Sequence, residues 1–277
     1  MKKQSIAEQV AALDAENDHA RIVYLIGSYE FPWELQRSME FALFRTFAVP
    51  SIAELLDRTG QFQHAGQKRY DDTSLLIAEI TENGYDSERG RAAIRRMNQL
   101  HRRYDISNED YLYVLSAFVF EPIRWNPILS YRRSTEHEHR ANFHFWREVG
   151  RRMNIRDIPD TLEAFERFNR DYERQHFRRT PHTERVGRAS LATFTRWFPA
   201  FLHPLVRSAI YALMDEPLRE AFGFPKMPRW YARALRAVLR LRAQVVRHLP
   251  PRTQPFSLTR SPNRTYPKGY EIDELGA

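Results

Sequence analysis

Cysteine is absent from the 277 residues. That excludes disulfide frameworks, thiolate zinc sites, thiol nucleophiles, cysteine-ligated iron–sulfur clusters and thiolate-ligated haem. Long apolar runs are missing too. The two most apolar stretches are Tyr111 to Phe120 and Leu191 to Met214, and the second is interrupted by Arg196, Pro199, His203, Pro204 and Arg207. A bilayer span needs roughly 20 largely apolar residues, so neither qualifies. The opening MKKQSIAEQVAALDAEND is too acidic and too poor in apolar residues for a secretory signal. A cytoplasmic protein, touching a membrane at most from one side, is the expectation. No GxGxxG follows a strand, and GxxxxGK[ST] and GxSxG do not occur, which leaves dinucleotide, nucleotide and serine-hydrolase chemistry without an anchor.

What is present suits an ordinary globule: 42% of residues are apolar and 13% aromatic, enough to bury a core at this length. Helix signals recur and strand signals hardly at all, so the chain reads as an all-α, multi-helix single domain over residues 1–277. Pro32 suits the first turn of a helix from Trp33 to Phe47. Ser51 with Glu54 forms a capping box for a short helix stopping at Gly60. Asp71 or Asp72 caps a helix through Ile77 and Ile80 to Gly84, and Ser87 opens the next, to about Arg103. Ser107 precedes the apolar helix Tyr111 to Phe120. Thr135 and Glu138 form a second box before Phe143, Trp146 and Val149, and Asp160 caps a helix through Phe165, Phe168 and Tyr172. Beyond Thr180, prolines at 199, 204, 217, 225 and 228 predict short helices. The tail 250–277 is rich in Pro, Ser, Thr and Arg, yet its Phe256, Tyr266, Tyr270 and Leu275 predict an irregular segment packed on the body.

Four groups of residues carry chemical interest. His101 follows Ile94 by seven and Met97 by four and precedes Tyr104 by three, so it shares the apolar stripe of its helix rather than the face of Arg95, Arg96, Arg102 and Arg103. It is either a satisfied core histidine or an axial metal or haem ligand, with the arginines suited to propionates. Lys68, Arg69, Asp71, Asp72 and Thr73 form a second constellation. Thr73 stands four before Ile77 and points inward, with Arg69 one turn earlier, a pair able to face an oxyanion; a capped helix start is the plainer reading. His137, His139 and His144 lack the HExxH pattern of a zinc helix and read as a solvated helix start. Finally, from Ala221 to Tyr270 there are eleven Lys or Arg and no Asp or Glu. Within it Arg229, Arg233, Arg236, Arg240 and Arg247 lie on one side of a helix, with Tyr231, Leu235, Val238, Val245 and Leu249 largely on another. Such a helix meets an anionic lipid surface or is simply solvated; a nucleic-acid partner is disfavoured because no reading module accompanies it.

Several stretches together resemble the haem-dependent oxygenase family of the fungal mycophenolic-acid side-chain cleavage enzyme and bacterial latex clearing protein (rubber oxygenase). They are FPWELQRSMEFALFRTFAVPSIAELLDRTGQF, QKRYDDTSLLIAEI, AAIRRMNQLHRRYDISNEDYLYVLSAFVFEPIRW, FHFWREVGRRMNIRDIP and the closing YPKGYEIDELG. The resemblance implies an all-helical body with a globin-like core that holds haem b, and dioxygen chemistry on a double bond or allylic position of a hydrophobic, isoprenoid-like substrate.

By the same resemblance His101 matches the proximal ligand to the iron, and Arg69 and Thr73 match the distal arginine and threonine. Asp72 stands where rubber oxygenase has a lysine able to take the sixth iron position, which implies a more open distal side. Arg102 and Lys68 are the candidate cofactor-binding cations. Phe118, Phe120, Phe143 and Trp146 either line an apolar pocket or are plain core. Two alternatives remain open at this point: a haem-free helical binding protein using the basic helix for an acidic partner, and a haem peroxidase or sensor.

Overall fold

The computed structural model describes residues 5–276, which form one all-helical domain with no strand among them. α1 (Ile6–Ala11) is closed by a reciprocal Ser5–Glu8 box. α2 (His19–Leu25) runs into a single π turn, and α3 (Pro32–Phe47) begins on Pro32, whose missing N–H costs nothing in a first turn. α4 (Pro50–Thr59) also begins on a proline. The box expected at Ser51 and Glu54 is therefore not made; Ser51 Oγ donates instead to Asp110 Oδ1 at 2.9 Å. Gly60, at φ 65°, ends α4 and starts α5 (Gln61–Asn83), a left-handed turn that favours a residue without Cβ.

Asp71 and Asp72 do not cap α5; they lie buried in its middle. Helical backbone extends back to Gln61, kinked at Ala65 (φ −134°, ψ 34°), because Phe62, Gly66 and Tyr70 bury its first turns, and each aspartate has distant partners in place of a helix end. Asp71 Oδ2 accepts from Thr265 N at 3.2 Å and Thr265 Oγ1 at 2.5 Å, and Asp72 accepts from Tyr266 Oη and, at 2.9 Å, Lys68 Nζ. α6 (Glu88–His101) is capped by Ser87 and α7 (Asn108–Leu129) by Ser107. α7 continues past Phe120 through Pro122 and Pro127. Packing along α3 holds it straight enough to do so, and Asn142 Nδ2 donates to Val119 O at 3.1 Å beside the break.

α8 (Glu136–Arg152) has the predicted Thr135–Glu138 box. α9 (Leu162–His176) is capped by Thr161, one residue after the expected Asp160. α10 (Pro181–Thr195), α11 (His203–Leu213), α12 (Glu216–Ala221) and α13 (Arg229–Arg247) each have a proline in the first turn or at the cap.

Two apolar cores flank α5. The larger joins α5, α6, α7, α8 and α9 through Leu75, Ile80, Ile94, Val119, Phe145 and Phe165, and takes Ile272 and Leu275 from the tail. The smaller joins α3, α5, α10 and α12 through Phe44, Phe62, Tyr70, Phe194 and Phe222. The irregular tail is fixed across α5. Phe256 N donates to Ser28 O at 2.8 Å, Leu258 N to Glu82 Oε1 at 2.6 Å, and Tyr270 Oη to Glu79 Oε1 at 2.7 Å. A buried ionic knot locks α3, α7 and α9. Arg45 meets Glu121 at 2.7 Å, Glu173 at 3.0 Å and Asp215, and Arg124 bridges the same two glutamates at 2.7 and 3.1 Å.

Candidate active site

α5 and α6 form an antiparallel hairpin about the turn at 84–87, so positions equally far from that turn face one another. Arg69 and His101 each lie about 20 Å of helix from it. The hairpin thus sets Arg69 beside His101 and Thr73 beside Met97. All four line a cavity of about 400 Å³ between α3, α4, α5, α6, α7, α8 and α10, within the range of small-molecule and cofactor sites. Its wall is mostly apolar, with Leu76, Ile77, Leu100, Val114, Leu115 and Phe194 among the lining residues.

His101 ends α6, its ring edge-on to Tyr111 at 5.5 Å between centroids. Its Nδ1 is buried and has no hydrogen-bond partner. Burial, with the Arg69 charge second, pushes the imidazole down to about 4, so it is neutral near pH 7. A neutral ring with an unsatisfied buried nitrogen on a cavity wall is what a metal ligand requires. It is also not a satisfied core histidine.

One turn apart on α5, Thr73 Oγ1 donates to Arg69 O at 2.9 Å and accepts from the Arg69 guanidinium at 3.2 Å. Arg69 forms no ion pair among the described residues. Burial pushes its pKa down while Asp72 and Tyr104 oppose that. An unpaired guanidinium in a mostly apolar chamber is a standing positive charge awaiting an anion or a developing negative charge.

The other candidates separate. Asp72 reaches the lining, but Lys68 and Tyr266 occupy its oxygens. Lys68 is turned to Asp72 and to the Tyr266 ring, 5.6 Å away, and does not line the cavity. Arg102 is exposed past the end of α6, off the lining. Arg103 is the arginine at the mouth. The reason is helical phase: Arg102 follows His101 by one residue and turns about 100° away, whereas at Arg103 the chain has left the helix. Phe118 and Trp146 stack at 5.0 Å on the lining, whereas Phe120 and Phe143 pack on Phe165 in the core. His137, His139 and His144 do not converge: His139 Nε2 meets Ser134 Oγ at 2.6 Å and His144 stacks on His19. No cluster of three metal-ligating side chains occurs among the described residues.

Sequence reasoning missed a second chamber. About 140 Å³, it adjoins the first along Leu43, Tyr70, Thr73, Ile77 and Trp146, and is lined by Leu35, Met39, Pro122, Phe256 and Leu258. Glu40 faces it, accepting from Tyr70 Oη at 2.8 Å and Arg37 at 2.6 Å, and burial pushes its carboxyl up to about 7. Phe256 and Leu258 come from the tail, far away in sequence, so no local pattern could have announced the chamber.

Residues 35–248, which include every residue of the Arg69–Thr73–His101 constellation, match the family described as ER-bound oxygenase mpaB/B'/Rubber oxygenase, catalytic domain. The chain belongs to this oxygenase family. ER-bound oxygenase mpaB' of Penicillium brevicompactum is 31% identical over 240 residues, covering 80% of this chain and 57% of that protein. ER-bound oxygenase mpaB of Penicillium roqueforti is 31% identical over 212 residues, covering 69% of this chain and 70% of its own length. The chain thus spans little more than half of the first relative. Among solved structures, Latex Clearing Protein LCP in the closed state superposes with a TM-score of 0.56 at 15% identity, over 87% of this chain and 69% of that one. That likeness establishes the shared helical fold. No helix among the described residues is long and apolar enough to cross a membrane.

Proposed function

We propose that this protein is a haem b-dependent oxygenase that oxidises or cleaves a double bond or allylic position of a hydrophobic, isoprenoid-like molecule. The observation that carries the reading is the partnerless, buried Nδ1 of a neutral His101 that shares the wall of an apolar cavity with an unpaired Arg69. Those residues fit the group: His101 would hold the iron, and Arg103 at the mouth would meet the porphyrin carboxylates. Haem b would supply the activation of dioxygen.

The chain's own groups then have separable tasks. Arg69 cannot accept a proton, because guanidinium stays protonated, so it contributes fixed positive charge where negative charge develops on oxygen. Thr73 orients that guanidinium and offers its hydroxyl to the same space. Asp72, held by Lys68 and Tyr266, positions this segment of α5 against the tail. The apolar walls exclude water and admit a hydrocarbon, for which the second chamber beside Thr73 provides room. Two relatives are named as ER-bound, and contact of this chain with a membrane surface is part of the proposal.

The test is oxygen consumption coupled to a defined oxidised product across a panel of isoprenoids. Arg69→Ala is expected to keep its haem and lose at least about a hundredfold in turnover, the scale of one preorganised charge donor. Unchanged turnover in that variant removes Arg69 from the chemistry.

A further inference from the structure

α13 has three faces rather than the usual two. At about 100° per residue, Tyr231, Leu235, Leu239, Ala243 and Val246 share the face turned to the body, where Arg242 also pairs with Glu34 and lies 3.8 Å over the Trp33 ring. Trp230, Ala234, Val238, Leu241, Val245 and Leu249 fall within about 100° of one another on a second face, which looks into solvent. Trp230 is 68% exposed and Leu241 66%. Arg229, Arg233, Arg236, Arg240 and Arg247 make the third, within about 60°, all exposed and none in an ion pair among the described residues. Leu205 lies beside the start of α13, where Tyr231 Oη donates to its carbonyl at 3.5 Å, and Leu205 and nearby Phe201 are also exposed.

Two solvent-facing stripes of opposite character, side by side, need a partner that offers both apolar depth and negative charge. A second copy of this chain, packed ridge to ridge, would bring five unpaired arginines against five more. A nucleic acid would satisfy the arginines and leave the ridge in water. An anionic bilayer satisfies both, since the ridge sinks to the acyl boundary while the guanidinium groups stay at the phosphates, and no acidic residue between Ala221 and Tyr270 opposes the approach. We propose that the outer face of α13, with Phe201 and Leu205, docks this protein on an anionic phospholipid surface.

The proposal makes specific the membrane contact put forward above and rests on exposure and charge, not on the haem chemistry, so it is tested on the full chain without substrate. Co-sedimentation is measured with vesicles of equimolar phosphatidylcholine and phosphatidylserine and with vesicles of phosphatidylcholine alone. Binding to the mixed vesicles is expected to exceed that to the neutral ones by about tenfold or more, and to weaken as salt rises. Leu241→Glu and the pair Arg233→Glu and Arg236→Glu should each reduce it about tenfold or more, with circular dichroism unchanged because these side chains are exposed on α13. No binding to either vesicle overturns the proposal, as does binding indifferent to Leu241→Glu. Self-association in the absence of lipid that Leu241→Glu abolishes would assign the ridge to a second copy instead.

Discussion

Glu40 ties the stability of the fold to pH in a way that Glu40→Gln should erase. Its carboxyl is buried between Tyr70 and Arg37 on the wall of the second chamber, and burial raises it from 4.5 to about 7. Between those values the folded chain holds a proton that the unfolded chain has released. Stability from this group is therefore full below about 4.5 and declines as pH rises to about 7. A shift of that size corresponds to about 3 kcal/mol. Gln is neutral at every pH, and its carbonyl can still accept from Tyr70 and Arg37. The assay is urea unfolding of both proteins at pH 4.5 and pH 7.5, with the pH effect in the variant subtracted from that in the parent so that all other groups cancel. The parent should lose about 3 kcal/mol more than the variant, a midpoint difference of about 1 M for a slope near 3 kcal/mol/M. Equal pH dependence in the two proteins would refute the assignment of a buried, protonated Glu40.

Two packing predictions follow from the elements that build the cavity. Arg45→Met strips two buried glutamates of one partner while Arg124 remains to both, so urea unfolding should show a loss of about 3 kcal/mol, at the low end for a broken buried pair; a loss below about 1 kcal/mol would mean Arg124 suffices. A Cβ at Gly66 would stand 2.4 Å from Thr193 Oγ1, where α5 crosses α10, so Gly66→Ala should destabilise by about 1–3 kcal/mol and Thr193→Ala should recover much of it in the double variant. Strict additivity of the two would contradict the contact.

His101 was legible because a helix stripe depends only on spacing, whereas Arg69 stood before the helix start expected at Asp71 or Asp72, and the hairpin of α5 and α6 is what brings it beside His101. The helix ends were less so. Asp71 and Asp72 carry the composition of a cap and serve as anchors for Thr265 and Tyr266, partners too distant for any local rule. Pro122 and Pro127 predict an end to α7 that packing against α3 overrides. On α13 the apolar arc of the wheel is broad and continuous, so spacing alone grouped Val238, Val245 and Leu249 with Tyr231 and Leu235. Only the contacts of the body divide that arc into a buried half and an exposed half.

The central claim is that His101 holds a haem, and the most direct measurement is the absorption spectrum of the protein purified from haem-supplemented cells, beside that of His101→Ala. The parent should show a stoichiometric Soret band that shifts on reduction with dithionite and again when carbon monoxide is added to the reduced protein. The variant should lose the band and keep its helical circular dichroism, since one side chain on a cavity wall carries little of the packing. A parent without a Soret band even after reconstitution with hemin, or a variant with full haem occupancy, would contradict the account.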